Sequence, residues 1–145
     1  MQLIETVCPA RFGDTVFGKL DALIAGAMMV IGAVTGFEMG DGFSAAQKFG
    51  CENNDLMTAN RFLSNYAGGI LGSISSGQDI IVRIAVKPMP SIVKIQQTRD
   101  IHRNIVDISV MGRHDLCFIP RIMPVADAML TCVFIDCVLE QAKYR

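Results

Sequence analysis

The stretch "ALIAGAMMVIGAV", Ala22–Val34, is the longest uncharged apolar run in the chain, with 13 residues. A bilayer-spanning helix needs about 20 such residues, so the run predicts a buried helix. We expect this helix to begin near Asp14 or Thr15, since either side chain can cap a helix N-terminus. At about 100° per residue, one apolar stripe of the helix holds Phe17, Leu20, Ile24, Ala27, Met28 and Ile31.

The opposite face of this helix is also nearly free of charge. It carries Ala22, Ala25, Gly26, Met29 and Ala33. Two apolar faces predict a helix that is covered on both sides, as in the middle layer of a layered domain. The small residues of the second face would let a neighbouring element approach closely.

The composition limits the possible classes of protein. The 145 residues carry a net charge of −1, with 51% hydrophobic and 19% charged residues. This balance gives no basis for binding nucleic acid or an anionic membrane. The mean hydropathy of +0.39 is high, so we expect part of the apolar surface to face another subunit or another piece of protein. The five cysteines form no CxxC pair, which favours reduced thiols in the cytoplasm and no metal site.

Along the rest of the chain, no internal repeat or linker interrupts residues 1–145, which we interpret as a single unit. Residues 44–64 are polar and predict a surface excursion, whereas residues 79–87 and 105–111 predict strands. From Met123 onwards, with Pro124 at its entry, the sequence predicts a long apolar helix. Two buried helices with strands between them indicate an α+β layered domain.

Three polar stretches are not explained by a core. The first, "NYAGGILGSISSG" (65–77), has four glycines but matches neither the Walker nor the GxGxxG pattern. It is either a plain turn or a surface of backbone N–H groups and hydroxyls that binds an anion or a ring. The second, "VKPMPSI" (86–92), holds Lys87 before a stiff double-proline turn. It is either a solvated lysine on a rigid loop or the lining of a site.

The third stretch is "GRHDLC", residues 112–117. Arginine offers a fixed fork of donors for phosphate or carboxylate, and an adjacent aspartate can orient a histidine. Cys117 lies three residues from His114, but this spacing alone does not support a nucleophilic Cys–His pair.

Taken together and in order, these stretches resemble the C-terminal part of the chorismate synthase family. The resemblance runs from Thr15 to Leu139, through "FGKLDALIAGAMMVIGAVTGFEMGDGF", "ENND", "SNYAGGILGSISSGQDI", "RIAVKPMPSI", "GRHDLC" and "PVADAML". It implies a β-α-β sandwich in which helices lie between antiparallel sheets, here incomplete, and assembly as a cytoplasmic homotetramer. It also implies a lyase that eliminates phosphate from 5-enolpyruvylshikimate 3-phosphate to give chorismate, with reduced FMN as cofactor.

The resemblance also implies roles for particular residues of this sequence. Asp115 resembles the family's aspartate near the reactive edge of the flavin, where it takes part in proton handling. The implied flavin contacts are Ala33, Gly72, Lys87, Pro88, Pro90, Ser91 and Arg113. On this interpretation the three polar stretches form one wall of a flavin pocket, and the glycines let backbone lie against the flavin.

The chain departs from the family pattern at several positions. Gly32 replaces an asparagine, Ser73 a glycine, Met89 a threonine, Leu116 a proline and Asp127 a glutamate. The family's N-terminal portion, with its two catalytic histidines and substrate-binding arginines, is absent from this sequence. We therefore expect the chain alone to bind FMN weakly and to turn over no substrate. The alternative is a degenerate, non-catalytic flavin-binding or interaction module.

Overall fold

A computed structural model describes residues 2–5, 8–114 and 116–144. Three α-helices, seven strands and one 3-10 helix follow each other along the described chain. Their order is β1 (Gln2–Glu5), α1 (Leu20–Met29), β2 (Val34–Met39), a 3-10 helix (Gly42–Gln47), α2 (Gly50–Asn53), β3 (Ile70–Leu71), β4 (Ile74–Ser75), β5 (Ile80–Val86), β6 (Gln96–Arg99), β7 (Ile105–Ile108) and α3 (Ile119–Ala142).

Strand β5 is the centre of the main sheet, whose order is β1-β5-β2 with both pairs antiparallel. Successive side chains of a strand point to opposite faces, and β5 follows this rule closely. Ile80, Val82 and Ile84 are at most 2% exposed, whereas Arg83 and Ala85 lie on the other, more open face. One face of the sheet is therefore committed to the core.

The two long helices lie on the buried side of this sheet. Leu20, Ile24 and Met28 of α1 recur every four residues and are fully buried. The helix α3 packs against α1. Its buried residues are Ile122, Ala126, Leu130 and Cys137. Together with the alternate residues of β5, these side chains form one hydrophobic cluster.

The α+β class expected from the sequence is confirmed, and so is its incompleteness. An antiparallel sheet covers the helices on one side. Across their other side, the described residues supply no second sheet, because β3–β4 and β6–β7 are separate two-stranded hairpins. Among the described residues, the three-stranded sheet is therefore the one sheet layered on the helices.

The expected start of the first helix is wrong. Helix α1 begins at Leu20, not at Asp14 or Thr15, and Phe17 is 94% exposed instead of lying on the apolar stripe. One of two reasons is local, because the Asp14 N–H donates to the Gly18 carbonyl at 2.7 Å, which closes residues 14–18 into a turn ahead of the helix. The other is a distant carbonyl, that of Ser73, which accepts the Leu20 N–H.

The second apolar face of α1 is uncovered within the described chain. Ala22, Gly26 and Met29 are exposed, while Ala25 and Ala33 are half-buried. The expectation of a helix covered on both sides is thus met on one side only. Any cover for the second face lies outside the described residues.

The remaining elements agree in type with the sequence, with shifted boundaries. The strand predicted over 79–87 is β5, and the surface excursion contains short helical turns and one β-bridge between Met57 and Phe62. Helix α3 starts at Ile119, with Pro120 in its first turn, so Pro124 lies inside the helix. The strand predicted over 105–111 ends at Ile108, and it pairs with the unpredicted strand β6.

Helix α3 is long and apolar enough, by length and composition alone, to cross a membrane. The core helix of a soluble protein meets the same criterion. The side chains that α3 contributes to the hydrophobic cluster show that one of its faces packs against protein.

Replacing Ile24 by alanine tests the packing of α1. Ile24 is fully buried, so Ile24→Ala should lower the free energy of unfolding by about 2–5 kcal/mol, through lost burial and the cavity left behind. Urea denaturation measures this. The neighbouring Leu23 is 42% exposed, so Leu23→Ala is the matched control and should cost much less. Equal losses for both variants would contradict the packing described here.

Candidate functional site

Ala33 and Lys87 meet where β2 begins and β5 ends. Val34 is paired with Val86, and the Lys87 N–H donates to the Ala33 carbonyl at 2.8 Å. Ala33 has a φ of 72°, a left-handed conformation that costs a non-glycine residue about 1–2 kcal/mol. Ala33, a predicted flavin contact, therefore has a strained backbone and is hydrogen-bonded to Lys87, another predicted contact.

The proline loop and the Arg-His-Asp stretch are joined by the β6–β7 hairpin. Gln96 pairs with Ile108 at the open end of this hairpin. Just beyond that pair, the Ser109 hydroxyl donates to the Val93 carbonyl at 2.7 Å. The loop that contains Pro88, Pro90 and Ser91 thus enters the hairpin beside the segment that leaves it towards Arg113.

Three cations stand exposed in these loops, and two of them, Lys87 and Arg113, are predicted flavin contacts, whereas Lys94 is not. Among the residues that the structure describes, Lys87 and Arg113 form no salt bridge. The ring Nε2 of His114 lies 3.0 Å from the Val110 carbonyl oxygen. Asp115, for which a role in proton handling is predicted, lies outside the described residues.

Gly72 and Ser73 form the two-residue turn of the β3–β4 hairpin. Their φ angles of 59° and 70° are both positive, as the type I′ hairpin turn requires. The Ser73 carbonyl accepts the Leu20 N–H at 3.0 Å, which satisfies one of the unpaired donors at the start of α1. The turn therefore caps a helix whose N-cap, Lys19, offers no side-chain hydrogen bond.

The predicted flavin contacts thus fall into two groups at opposite ends of α1. Gly72 adjoins its N-terminus, whereas Ala33 and Lys87 follow its C-terminus. The helix has 10 residues, so the two groups lie about 15 Å apart at about 1.5 Å per residue. Only an extended ligand lying along α1 could touch both groups within one chain.

The glycines of the segment 65–77 have different reasons to be glycine. A Cβ on Gly68 would lie 2.4 Å from the Gly40 nitrogen, and one on Gly69 would lie 2.5 Å from the Asp79 oxygen. These two glycines are required by the packing of the chain against itself. A Cβ on Gly72 would meet nothing within 4 Å. Of these three, Gly72 alone combines a positive φ with open space in front of it.

Asp55, the last residue of the motif "ENND", has no role that the sequence predicts. The Asp55 carboxylate accepts hydrogen bonds from the Ser64 hydroxyl at 2.7 Å and from the Tyr66 and Ala67 N–H groups at 2.7 and 2.9 Å. Its burial favours a higher pKa, but these hydrogen bonds outweigh burial and hold the pKa of Asp55 below its ordinary value.

Asn65 holds the same segment from a second side. Its side-chain oxygen accepts the Gly69 N–H at 2.6 Å, and its amide donates to the Asp79 carbonyl at 2.8 Å. The signal that could have found Asp55 and Asn65 is their type, since Asp and Asn side chains organise turns by bonding nearby backbone.

Nothing within the described chain suggests a metal centre. No group of three or more His, Cys, Asp or Glu side chains that could hold a metal ion occurs among the described residues. Near Ala33 the available cation is Lys87, whose N–H is bonded to the Ala33 carbonyl, whereas at the Gly72–Ser73 turn the Ser73 hydroxyl donates to the Asp21 carboxylate at 3.4 Å. A negatively charged group is therefore better accommodated at the Lys87 end.

Comparison with known proteins bears directly on this arrangement. A sequence model of the family described as chorismate synthase matches residues 1–139. The chain belongs to the chorismate synthase family. Every predicted site residue, including Asp115, falls within the matched range.

Individual chorismate synthases extend the match. That of Syntrophobacter fumaroxidans is 53% identical over 135 residues, covering 93% of this chain and 38% of the relative. That of Archaeoglobus fulgidus is 50% identical over 146 residues, covering 97% of this chain and 41% of the relative. The chain thus spans well under half the length of these chorismate synthases.

A solved structure agrees in three dimensions. A crystal structure of chorismate synthase superposes with a TM-score of 0.75 and 29% identity, covering 97% of this chain and 36% of that structure. The α+β arrangement of this chain is therefore that of part of a chorismate synthase.

Alanine substitutions distinguish the two kinds of glycine. Gly72→Ala should lower the free energy of unfolding by about 1–2 kcal/mol, because only the left-handed backbone is strained. Gly69→Ala should cost more, since its Cβ would also overlap the Asp79 carbonyl. Urea denaturation of both variants measures the difference. A larger loss for Gly72→Ala would contradict the open space in front of Gly72.

The hydrogen bonds of Asp55 should make stability depend on pH. Because its pKa is lowered in the folded state, its contribution is complete above the ordinary carboxyl pKa and is lost as pH falls through the lower value. The difference in unfolding free energy between the wild type and Asp55→Asn should therefore shrink below about pH 4. Urea titrations at several pH values test this, and a difference independent of pH would contradict it.

Proposed function

We propose that this chain forms the C-terminal part of a chorismate synthase, a lyase that converts 5-enolpyruvylshikimate 3-phosphate into chorismate. The reaction removes phosphate and a ring proton from the substrate. The observation that carries the proposal is the family match over residues 1–139, which includes every residue to which a role is assigned here.

The residues present suit reduced FMN, the cofactor proposed for this activity. The chemistry that bound reduced FMN would supply is a transient electron for the substrate, returned once the phosphate has left. Lys87 and Arg113 are exposed cations that suit a phosphate group, Arg113 through its fork of donors. The open space before Gly72 allows a ligand to lie close against backbone. We assign Ala33, Pro88, Pro90 and Ser91 to the group of contacts at the C-terminal end of α1, Gly72 to the group at its N-terminal end, and proton handling to Asp115.

Three departures from the family pattern weaken these contacts. Gly32 carries no amide side chain and faces open space, while Met89 carries no hydroxyl. Ser73 adopts a φ of 70°, a conformation in which the family's glycine is unstrained. Each lost hydrogen bond costs about 0.5–1.5 kcal/mol, so two losses weaken FMN binding by about tenfold or more.

The exposed area supports the proposal that further polypeptide covers this chain. The accessible surface is 10193 Å² for 15.8 kDa, whereas a compact monomer of that mass exposes about 7,300 Å². We propose that the surplus, which includes the exposed apolar side chains of α1 and α3, is buried by the portion that the longer relatives possess and by the other subunits of a cytoplasmic homotetramer. In this proposal α3 is a core helix and not a membrane span.

Alone, the chain should be inactive, because the groups implied for the N-terminal portion are needed to complete the site. The test is chorismate formation from 5-enolpyruvylshikimate 3-phosphate with reduced FMN. We expect none from the chain alone and measurable turnover after addition of the N-terminal portion of the Syntrophobacter fumaroxidans chorismate synthase. Lys87→Met should lower that turnover at least tenfold, whereas Lys94→Met, on the β6–β7 side of the loop, is the matched control.

The complementation assay needs one positive control. The two portions of the Syntrophobacter fumaroxidans chorismate synthase, mixed in the same way, must form chorismate. If they do and this chain does not replace the matching portion, the enzymatic proposal is wrong.

A second candidate function is a non-catalytic flavin-binding or interaction module. The observations that favour it are the missing side-chain groups at Gly32 and Met89 and the full exposure of Leu116, where the family has proline. A titration of FMN followed by its fluorescence separates the two candidates. Binding of FMN without chorismate formation in the complemented mixture favours the module.

A further inference from the structure

The Asp55 carboxylate accepts three hydrogen bonds from residues 64–67. Its Oδ1 atom accepts from the Ser64 hydroxyl and the Tyr66 N–H, both at 2.7 Å, and its Oδ2 atom accepts from the Ala67 N–H at 2.9 Å. Both carboxylate oxygens are therefore used, and an ionised acceptor makes each bond roughly twice as strong as a neutral one. The carboxylate fixes the peptide units of residues 66 and 67.

Those two peptide units lead directly into a packed double glycine. Gly68 lies against Gly40 so closely that a Cβ would approach within 2.4 Å of the Gly40 nitrogen. The Tyr66 carbonyl also accepts the Asp41 N–H at 2.8 Å. The backbone position of residues 66 and 67, which Asp55 fixes, therefore determines the position of Gly68 against Gly40 through direct backbone contacts.

The β3–β4 hairpin begins directly after Gly68 and Gly69. The Gly69 carbonyl accepts the Ser76 N–H at 2.8 Å and the Ser76 hydroxyl at 3.1 Å, which closes the base of the hairpin. Three residues further on, the Gly72–Ser73 turn reaches the N-terminus of α1 through the Ser73 carbonyl and the Leu20 N–H. A displacement at the base of so short a hairpin moves its tip.

We propose that Asp55 is a positioning residue for the Gly72–Ser73 turn, holding the turn at the N-terminus of α1 and thereby in the geometry that receives flavin. The part of this inference that concerns flavin rests on the proposed function. Asparagine cannot replace the aspartate, because an amide has one acceptor oxygen where the carboxylate uses two.

The charged neighbours of the segment do not duplicate this role. Lys48 is paired with Asp41, and its Nζ lies 4.3 Å from the centre of the Tyr66 ring. Lys48 thus contacts the Tyr66 side chain, whereas Asp55 holds the Tyr66 backbone. Among the described side chains, Asp55 is the one that accepts the Tyr66 and Ala67 N–H groups.

A matched control lies in the same chain. Asp100 also accepts three hydrogen bonds, from the His102 and Asn104 N–H groups and from the Asn104 side chain, at 2.8, 2.8 and 3.1 Å. It organises the tip of the β6–β7 hairpin, which is not paired with the β3–β4 hairpin that carries Gly72. Asp55→Asn and Asp100→Asn therefore make the same chemical change in two different turns.

The first measurement is amide hydrogen exchange in the intact chain, at a temperature where circular dichroism shows each variant folded. We expect Asp55→Asn to accelerate exchange at Leu20 and in residues 68–76 by about tenfold or more. We expect Asp100→Asn to leave both regions unchanged. Unchanged exchange at Leu20 in Asp55→Asn would overturn the positioning role.

The second measurement is FMN binding by the chain complemented with the N-terminal portion of the Syntrophobacter fumaroxidans protein. Asp55→Asn should weaken FMN binding about tenfold and shift the absorption band of the bound flavin, because the turn no longer meets it in the same place. Ser64→Ala, which removes one of three donors, should weaken binding about threefold. Asp100→Asn should bind FMN like the wild type.

The outcomes separate the two proposals. Faster exchange with unchanged FMN affinity and spectrum would overturn the role towards flavin and leave Asp55 a purely structural residue. If the wild type binds no FMN even after complementation, the proposed function fails, while exchange at Leu20 still decides whether Asp55 positions the turn. If Asp55→Asn does not fold, Ser64→Ala becomes the deciding variant, with the same expected pattern on a smaller scale.

Discussion

The structure depends on one constraint, the placement of β5 in the middle of a sheet with one face sealed by helices. Its backbone is paired along both edges, and its alternate residues Ile80, Val82 and Ile84 are buried. A shift of its register by one residue would turn Arg83 and Ala85 into the core and expose the buried set. The register of β1 and β2, and the face on which α1 packs, follow from that single requirement.

The positions of the two groups of predicted flavin contacts, at Gly72 and at Ala33 and Lys87, are set by this strand and by α1. The C-terminal end of β5 delivers Lys87 to the strained Ala33, while the segment before its N-terminal end is anchored by Asn65 on Asp79. Between the two regions runs α1, capped at one end by the Gly72–Ser73 turn. The same elements that build the hydrophobic cluster thus set the separation between two groups of polar atoms.

Sequence reasoning succeeded where local pattern and tertiary environment agree. The β-branched residues of β5 and the long apolar run of α3 predicted both elements correctly. It failed at the start of α1 because the cap is a carbonyl, that of Ser73, from a distant part of the chain. It missed β6 because its four residues are polar and exposed. The glycine-rich stretch was singled out as a ligand surface, which stays a prediction, whereas Gly68 and Gly69 owe their identity to Gly40 and Asp79, which no local pattern reveals. The roles assigned to the site residues remain predictions.

The hydrogen bond between Asp55 and Ser64 has a practical consequence for labelling the protein. It joins the residues on either side of the segment 56–63. Within the segment, the Leu63 N–H donates to the Leu56 carbonyl and the Thr58 N–H to the Arg61 carbonyl. Because the ends are clamped and the tip at Ala59 and Asn60 is exposed, added sequence there need not strain the rest of the chain. An epitope or a fluorophore-bearing peptide inserted between Ala59 and Asn60 would report on the molecule without disturbing its fold.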